Sequence, residues 1–154
     1  NDRYEGFVTA LRLCGLPFLP AYVQEGDWSE WSGSRAMEQL LQLDERPDAV
    51  FVASDAMAVG ALKTLRAAGL RCPEDVALVG FDDIPLASAV VPALTTVRQP
   101  IFRLGYTSAS VLIDNLLRAP DGLLRATQRI VLATELVVRE SCGQAVKYPL
   151  TAAA

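Results

Sequence analysis

Apolar residues recur along the chain with two periods, and the switches between them divide it into alternating helices and strands. Phe7, Ala10, Leu11 and Cys14 fall at i, i+3, i+4 and i+7, followed by Gly15 and Pro17, which predicts an amphipathic helix from Arg3 to Cys14. Pro20–Gln24 reads as a short strand, Glu25–Ser29 as a polar turn, and the positions of Ala36, Met37, Leu40, Leu41 and Leu43 as a second helix. Ala49-Val50-Phe51-Val52-Ala53 is apolar at every position, the pattern of a parallel strand buried on both faces. A helix is then predicted from Ser54 or Asp55 to Ala68: Met57, Ala58, Ala61, Leu62 and Leu65 share a face, and Gly69 closes it. Val76–Phe81 makes the next strand. Strand, helix and strand in about 33 residues form a βαβ unit, whose strands are parallel, so the fold class is α/β.

Beyond that unit, Pro85, Pro92 and Pro100 punctuate a stretch in which Leu94–Gln99 reads as an extended connector. A helix is predicted over Ile101–Leu117, with Leu104, Gly105, Ser108, Ala109, Leu112 and Leu116 on one face, and a last strand region over Gln128–Val138. From Ser141 to Ala154 no usable period remains, which predicts a frayed tail.

Composition narrows the chemistry. The 154 residues are 51% hydrophobic and 21% charged, enough apolar material for one domain's core. The net charge of −4 comes without any run of Lys or Arg, so this segment by itself carries no electrostatic footprint for nucleic acid. With no histidine, Ser-His-Asp and Cys-His nucleophiles and HExxH zinc sites are excluded. Cys14, Cys72 and Cys142 are odd in number and far apart, which indicates neither a disulfide framework nor a zinc site and fits a reducing compartment. No stretch approaches the roughly 18 consecutive apolar residues of a membrane span, and the opening residues do not read as a secretory signal. No cofactor and no metal are expected.

In open parallel sheets, ligands bind where loops and helix N-termini converge at the carboxyl ends of the strands. Ser54-Asp55 and Asp82-Asp83 fall at two such ends. One member of each pair is equally suited to capping a helix or turn, but two pairs at adjacent strand ends point to a site. Carboxylates there can accept hydrogen bonds from vicinal hydroxyls, hold Mg²⁺ or repel a phosphate. Arg3 offers a fork of donors, and Trp28, in the polar loop after the expected Tyr22 strand, offers a flat face for a ring. A phosphoacceptor signalling domain fits poorly, because Lys63 lies mid-helix and Lys147 in the tail.

Five segments taken in order resemble the carboxyl-terminal half of the effector-binding core of bacterial LacI/GalR-family transcriptional repressors. They are Arg3-Tyr4-Glu5-Gly6-Phe7, Glu25-Gly26-Asp27-Trp28-Ser29, Pro47–Gly60, Asp75–Asp83, and Pro92-Ala93-Leu94-Thr95-Thr96-Val97-Arg98-Gln99-Pro100. The resemblance implies a type I periplasmic-binding-protein-like fold, present in part: residues 1–94 and 132–141 in the carboxyl-terminal subdomain, 95–131 returning to the amino-terminal one, and 142–154 as tail. It implies a sugar or sugar-like effector bound by Arg3, Trp28, Ser54 and Asp82, with Asp55 and Asp83 as possible secondary contacts. Many relatives carry Asn or Asp where Ser54 stands. It also implies a cytoplasmic homodimer, with the Asp55–Leu65 helix and Ile84–Val91 near the dimer interface, and operator DNA bound through a helix-turn-helix preceding Asn1. No catalysis and no membrane contact are implied. A periplasmic sugar-binding protein shares the fold and is the alternative; an enzyme using the two strand-end carboxylates as acid and base is a third.

Overall fold

The computed structural model describes residues 2–118 and 129–143. In chain order the elements are α1 (Asp2–Leu13), a 3-10 turn (Pro20–Tyr22), α2 (Glu30–Leu41), β1 (Ala49–Phe51), α3 (Asp55–Ala67), β2 (Ala77–Asp82), α4 (Pro85–Ala89), β3 (Thr95–Arg98), α5 (Ile101–Arg118) and β4 (Glu135–Val137). The strands form one sheet in the order β1-β2-β3-β4. β1 pairs parallel with β2 in the register Val50↔Leu78, β2 parallel with β3 (Asp82↔Arg98), and β3 antiparallel with β4 (Arg98↔Glu135). The α/β class and the βαβ unit are as read from the pattern.

The core lies between α3, α2 and the sheet. Met37 and Leu40 of α2 meet Met57, Ala58, Ala61, Leu62 and Leu65 of α3, and these pack with Val52, Val76, Leu78, Ala87 and Leu94. α2 and α3 touch closely because each carries a glycine at the crossing: a Cβ on Gly33 would run into the Met57 backbone, and one on Gly60 into the Glu30 carbonyl. α3 starts at Ser54, whose Oγ accepts the Met57 N–H at 3.3 Å, and it ends before Gly69, which adopts φ +71°.

Four expectations are revised. Pro20–Gln24 does not form a strand: Pro20 has no N–H for a ladder, and Tyr22 and Val23 donate back to Leu19 and Pro20, closing a 3-10 turn. β1 is therefore an edge strand, partly exposed, instead of buried on both faces. Leu94–Gln99 is more than a connector, since Thr95–Arg98 takes a full place in the sheet and leaves it at Pro100. Pro85–Ala89, unassigned from the pattern, is a short helix with its proline in the first turn, where no N–H is needed.

The carboxyl-terminal end differs as well. Of the strand region expected from Gln128, only Glu135–Val137 is paired, and Gln128 itself lies outside the described residues. Ser141, expected to open the tail, is fully buried: its hydroxyl donates to the Leu78 carbonyl (2.7 Å) and accepts the Thr95 N–H (2.8 Å). The expected tail beyond Gly143 lies outside the described residues. All three cysteines are free, and burial pushes the Cys72 thiol up to about 11. α5 is an 18-residue helix with a strongly exposed apolar stripe, Phe102 being 88% exposed.

Candidate functional site

The carboxyl ends of β1 and β2, the first turn of α1 and the loop before α2 bring Arg3, Trp28 and Asp82 together. The Arg3 guanidinium lies 3.9 Å from the centroid of the Phe81 ring and 5.2 Å from that of Trp28. Its Nη1 donates to the Ala53 carbonyl at 2.8 Å, just past the end of β1, and its Nη2 stands 3.8 Å from the Asp82 carboxylate. A guanidinium so placed is fixed by cation–π contact and hydrogen bonding, and a third of the Arg3 side chain stays exposed.

Two of these side chains are aimed by unusual backbone. Trp28 adopts φ +71° and Asp82 φ +120°, with Asp83 following at φ +58°. Non-glycine residues adopt such values rarely, and where they do the surroundings must hold them. Around Trp28 the hold is a small polar knot: Ser29 N–H donates to the Asp27 carboxylate (3.0 Å), and Asp27 N–H donates to Ser32 Oγ (3.1 Å). The hydrogen bonds from Ser29 keep the Asp27 carboxyl below the ordinary range. Ser29 also caps α2, its Oγ accepting the Ser32 N–H. The indole is 58% exposed, an apolar plate beside a cation and a carboxylate.

Asp82 Oδ1 accepts a 2.7 Å hydrogen bond from Gln99 Nε2, and no described residue bonds to its Oδ2. That oxygen, the outer edge of Arg3 and the Trp28 ring make an acceptor, a donor and a stacking face, the set a polyhydroxylated ring requires. Gln99, Phe81 and the Ala53 carbonyl were not singled out from sequence. Gln99 sits in the Leu94–Gln99 segment, whose place in the sheet no periodicity revealed, and a carbonyl contact leaves no side-chain signature.

The remaining expected site residues have other partners. Ser54 is buried, and its Oγ caps α3, the alternative that cap preferences raised. Asp55 is 0% exposed, with Oδ1 accepting from the Thr96 hydroxyl (2.6 Å) and Oδ2 from the Ile84 N–H (3.0 Å). Both oxygens are therefore spent on tying α3 to β3 and α4, and burial raises its pKa. Asp83 bonds to Arg98 Nε and Arg139 Nη2, each at 2.6 Å. Burial alone would raise its pKa, but the two guanidinium groups hold it below the ordinary range. Asp55 and Asp83 thus each have both carboxylate oxygens engaged by protein donors.

Residues 1–142 match the periplasmic binding protein-like domain family. The chain belongs to that family. Within it, the chain corresponds to the carboxyl-terminal part of the core of LacI-type regulators. It is 44% identical over 139 residues to the HTH-type transcriptional repressor CytR of Escherichia coli, covering 90% of this chain and 40% of CytR. Among solved structures, a LacI transcriptional regulator from Bacillus cereus subsp. cytotoxis superposes with a TM-score of 0.86 at 31% identity, covering 92% of this chain and 49% of that one. A complex of the transcriptional regulator CelR with cellobiose superposes with a TM-score of 0.83 at 41% identity, covering 91% and 42%. The chain therefore spans less than half the length of each of these three relatives.

Proposed function

We infer that this chain is the carboxyl-terminal part of the effector-sensing core of a bacterial transcriptional repressor, and that its effector is a sugar or sugar-like molecule held by Arg3, Trp28 and Asp82. The observation that carries this reading is the convergence of a fixed guanidinium, a carboxylate oxygen with no partner among the described residues and an exposed indole at the carboxyl ends of the parallel strands. The CelR–cellobiose complex supports a saccharide as the ligand class. That the named relatives are transcriptional regulators supports this role over a transport receptor or an enzyme of the same fold. Ser54, at the carboxyl end of β1, is a further ligand contact in this reading: its Oγ accepts the Met57 N–H of the α3 cap, and its hydroxyl hydrogen is the group it would offer.

In this reading residues 1–94 and 132–141 make one subdomain, residues 95–131 return to a second, and the effector favours one angle between them. A homodimer, working in the cytoplasm, passes that preference to a helix-turn-helix on operator DNA as a coupling free energy of about 1–3 kcal/mol. No bond is made or broken. The test is a titration of the full-length protein with cellobiose, other unphosphorylated sugars and nucleosides, followed by isothermal calorimetry on Asp82→Ala. Removing the carboxylate leaves Arg3 unbalanced and hydroxyls unbonded, and a loss of tenfold or more, about 1.4 kcal/mol or above, is expected. Unchanged affinity would place the ligand elsewhere.

A further inference from the structure

The two consecutive residues with positive φ, Asp82 at the end of β2 and Asp83 just after it, are strained, and an L-residue persists in such a conformation only where its surroundings impose it. The partners that impose it come from one direction. Asp83, with a side chain only 9% exposed, is gripped by Arg98 of β3 and by Arg139, two residues after β4. Arg139 is anchored in turn: Nη1 donates to the Leu94 carbonyl (2.7 Å), and its backbone N–H to Thr95 Oγ1 (2.8 Å). Arg98 extends the network to Glu135 of β4 at 3.5 Å. Asp82 itself is held by Gln99, the residue after β3. The end of β2 is thus lashed to the two segments through which the chain leaves and re-enters this sheet.

We propose that Arg98 and Arg139 are positioning residues for the effector: through Asp83 they hold Asp82 in the turned conformation that sets its carboxylate beside Arg3, so groups that never touch the ligand set its affinity. The proposal rests on the reading of Arg3, Trp28 and Asp82 as the effector site. Two charge-assisted bonds to a nearly buried carboxylate are stiff as well as strong. A shift in how β3 or β4 enters the sheet therefore moves Asp83 and, through the next peptide, Asp82. The clamp is a route by which the rest of the protein adjusts the site, and by linkage the site adjusts it.

The experiment uses the full-length protein. A thermal-shift screen with cellobiose, glucose, galactose, ribose, cytidine and adenosine selects the probe that most raises the wild-type melt, and calorimetry then measures its Kd on variants. Asp83→Asn puts an amide N–H₂ against one guanidinium and should weaken the probe about tenfold. Arg98→Lys, at a half-exposed position where folding is safe, should weaken it about threefold. Asp83→Asn and Arg139→Gln should be strongly non-additive in Kd, since either one opens the clamp. Asp75→Asn, which breaks the Arg71–Asp75 pair away from the cleft, serves as the control and should lower the melt with Kd unchanged.

If Asp83→Asn and Arg98→Lys lower the melt but bind the probe like wild type, the clamp is only structural and the proposal fails. If Asp82→Ala binds like wild type, or no compound shifts the wild-type melt, the effector-site reading fails and takes this inference with it. Loss of binding in Asp82→Ala with normal binding in the clamp variants overturns the positioning role alone.

Discussion

Asp55 and Trp28 illustrate two opposite uses of a costly residue. Asp55 is a carboxylate taken fully out of water, and it is tolerated because both oxygens are bonded, to Thr96 and to the Ile84 N–H. Asp55→Ala orphans that buried N–H and hydroxyl, so a loss of about 1–3 kcal/mol in urea unfolding is expected. Burial raises its folded pKa above the unfolded value, so the folded state binds the extra proton. Its contribution is therefore fullest below the unfolded pKa and declines as pH rises through the folded one, and wild type should lose ground to Asp55→Asn over that climb. Trp28 bears backbone strain at φ +71° for the sake of an exposed ring. Trp28→Gly relieves the strain and deletes the ring, so the melting temperature should hold or rise while effector affinity falls about tenfold. A parallel fall in both would mean that the indole serves packing.

At the scale of elements, α3 is the keystone, with eight of its residues buried and its N-terminus at the cleft. Its start depends on the Ser54 cap, and Ser54→Ala should cost about 1 kcal/mol. Its distance from α2 depends on Gly33 and Gly60. A methyl group at Gly60 meets the Glu30 carbonyl, which belongs to the helix start and cannot yield as a flexible side chain does. Gly60→Ala should therefore cost more than the cap, about 1–3 kcal/mol or above, even though alanine is the better helix former. Thermal melts of the two variants give the order, and the reverse order would show that α2 shifts freely.

Over the whole molecule, the described aspartates with depressed pKa values, Asp83 in the ionic clamp and Asp75 and Asp27 outside it, shape the response to acid. Asp83 and Asp75 both have folded pKa values held below the unfolded one, Asp83 by Arg139 and Arg98 against the cost of burial, and Asp75 chiefly by Arg71. Their stabilisation is complete above the unfolded carboxylate pKa of about 3.9 and disappears as pH falls through the folded values. Urea midpoints should hold from pH 7 to pH 5 and drop below pH 4, and the drop should be shallower in Asp83→Asn. An equal drop in that variant would place the acid-sensitive groups elsewhere.

Much of this protein is settled by local chemistry that the sequence carries on its face. Period and caps predicted α1, α3 and α5 to within a residue or two, because side-chain spacing, Ser54 and the glycines act over one or two turns. The same local cues brought out Asp82 at a strand end, Trp28 in a polar loop and Arg3 in a first helical turn. Tertiary structure decided the rest. Whether Thr95–Arg98 joined the sheet depends on β2, 16 residues earlier in the register, that Ser141 ends in the core depends on Thr95 and Leu78, 46 and 63 residues away, and whether Pro20–Gln24 paired turned on the want of a ladder donor at Pro20. The division of labour among Asp55, Asp82 and Asp83 was likewise invisible in the sequence, which offered only the helix cap at Ser54 or Asp55. A carboxylate's role depends on which donors reach it, and Thr96, Gln99, Arg98 and Arg139 are brought there only by the pairing of β2, β3 and β4.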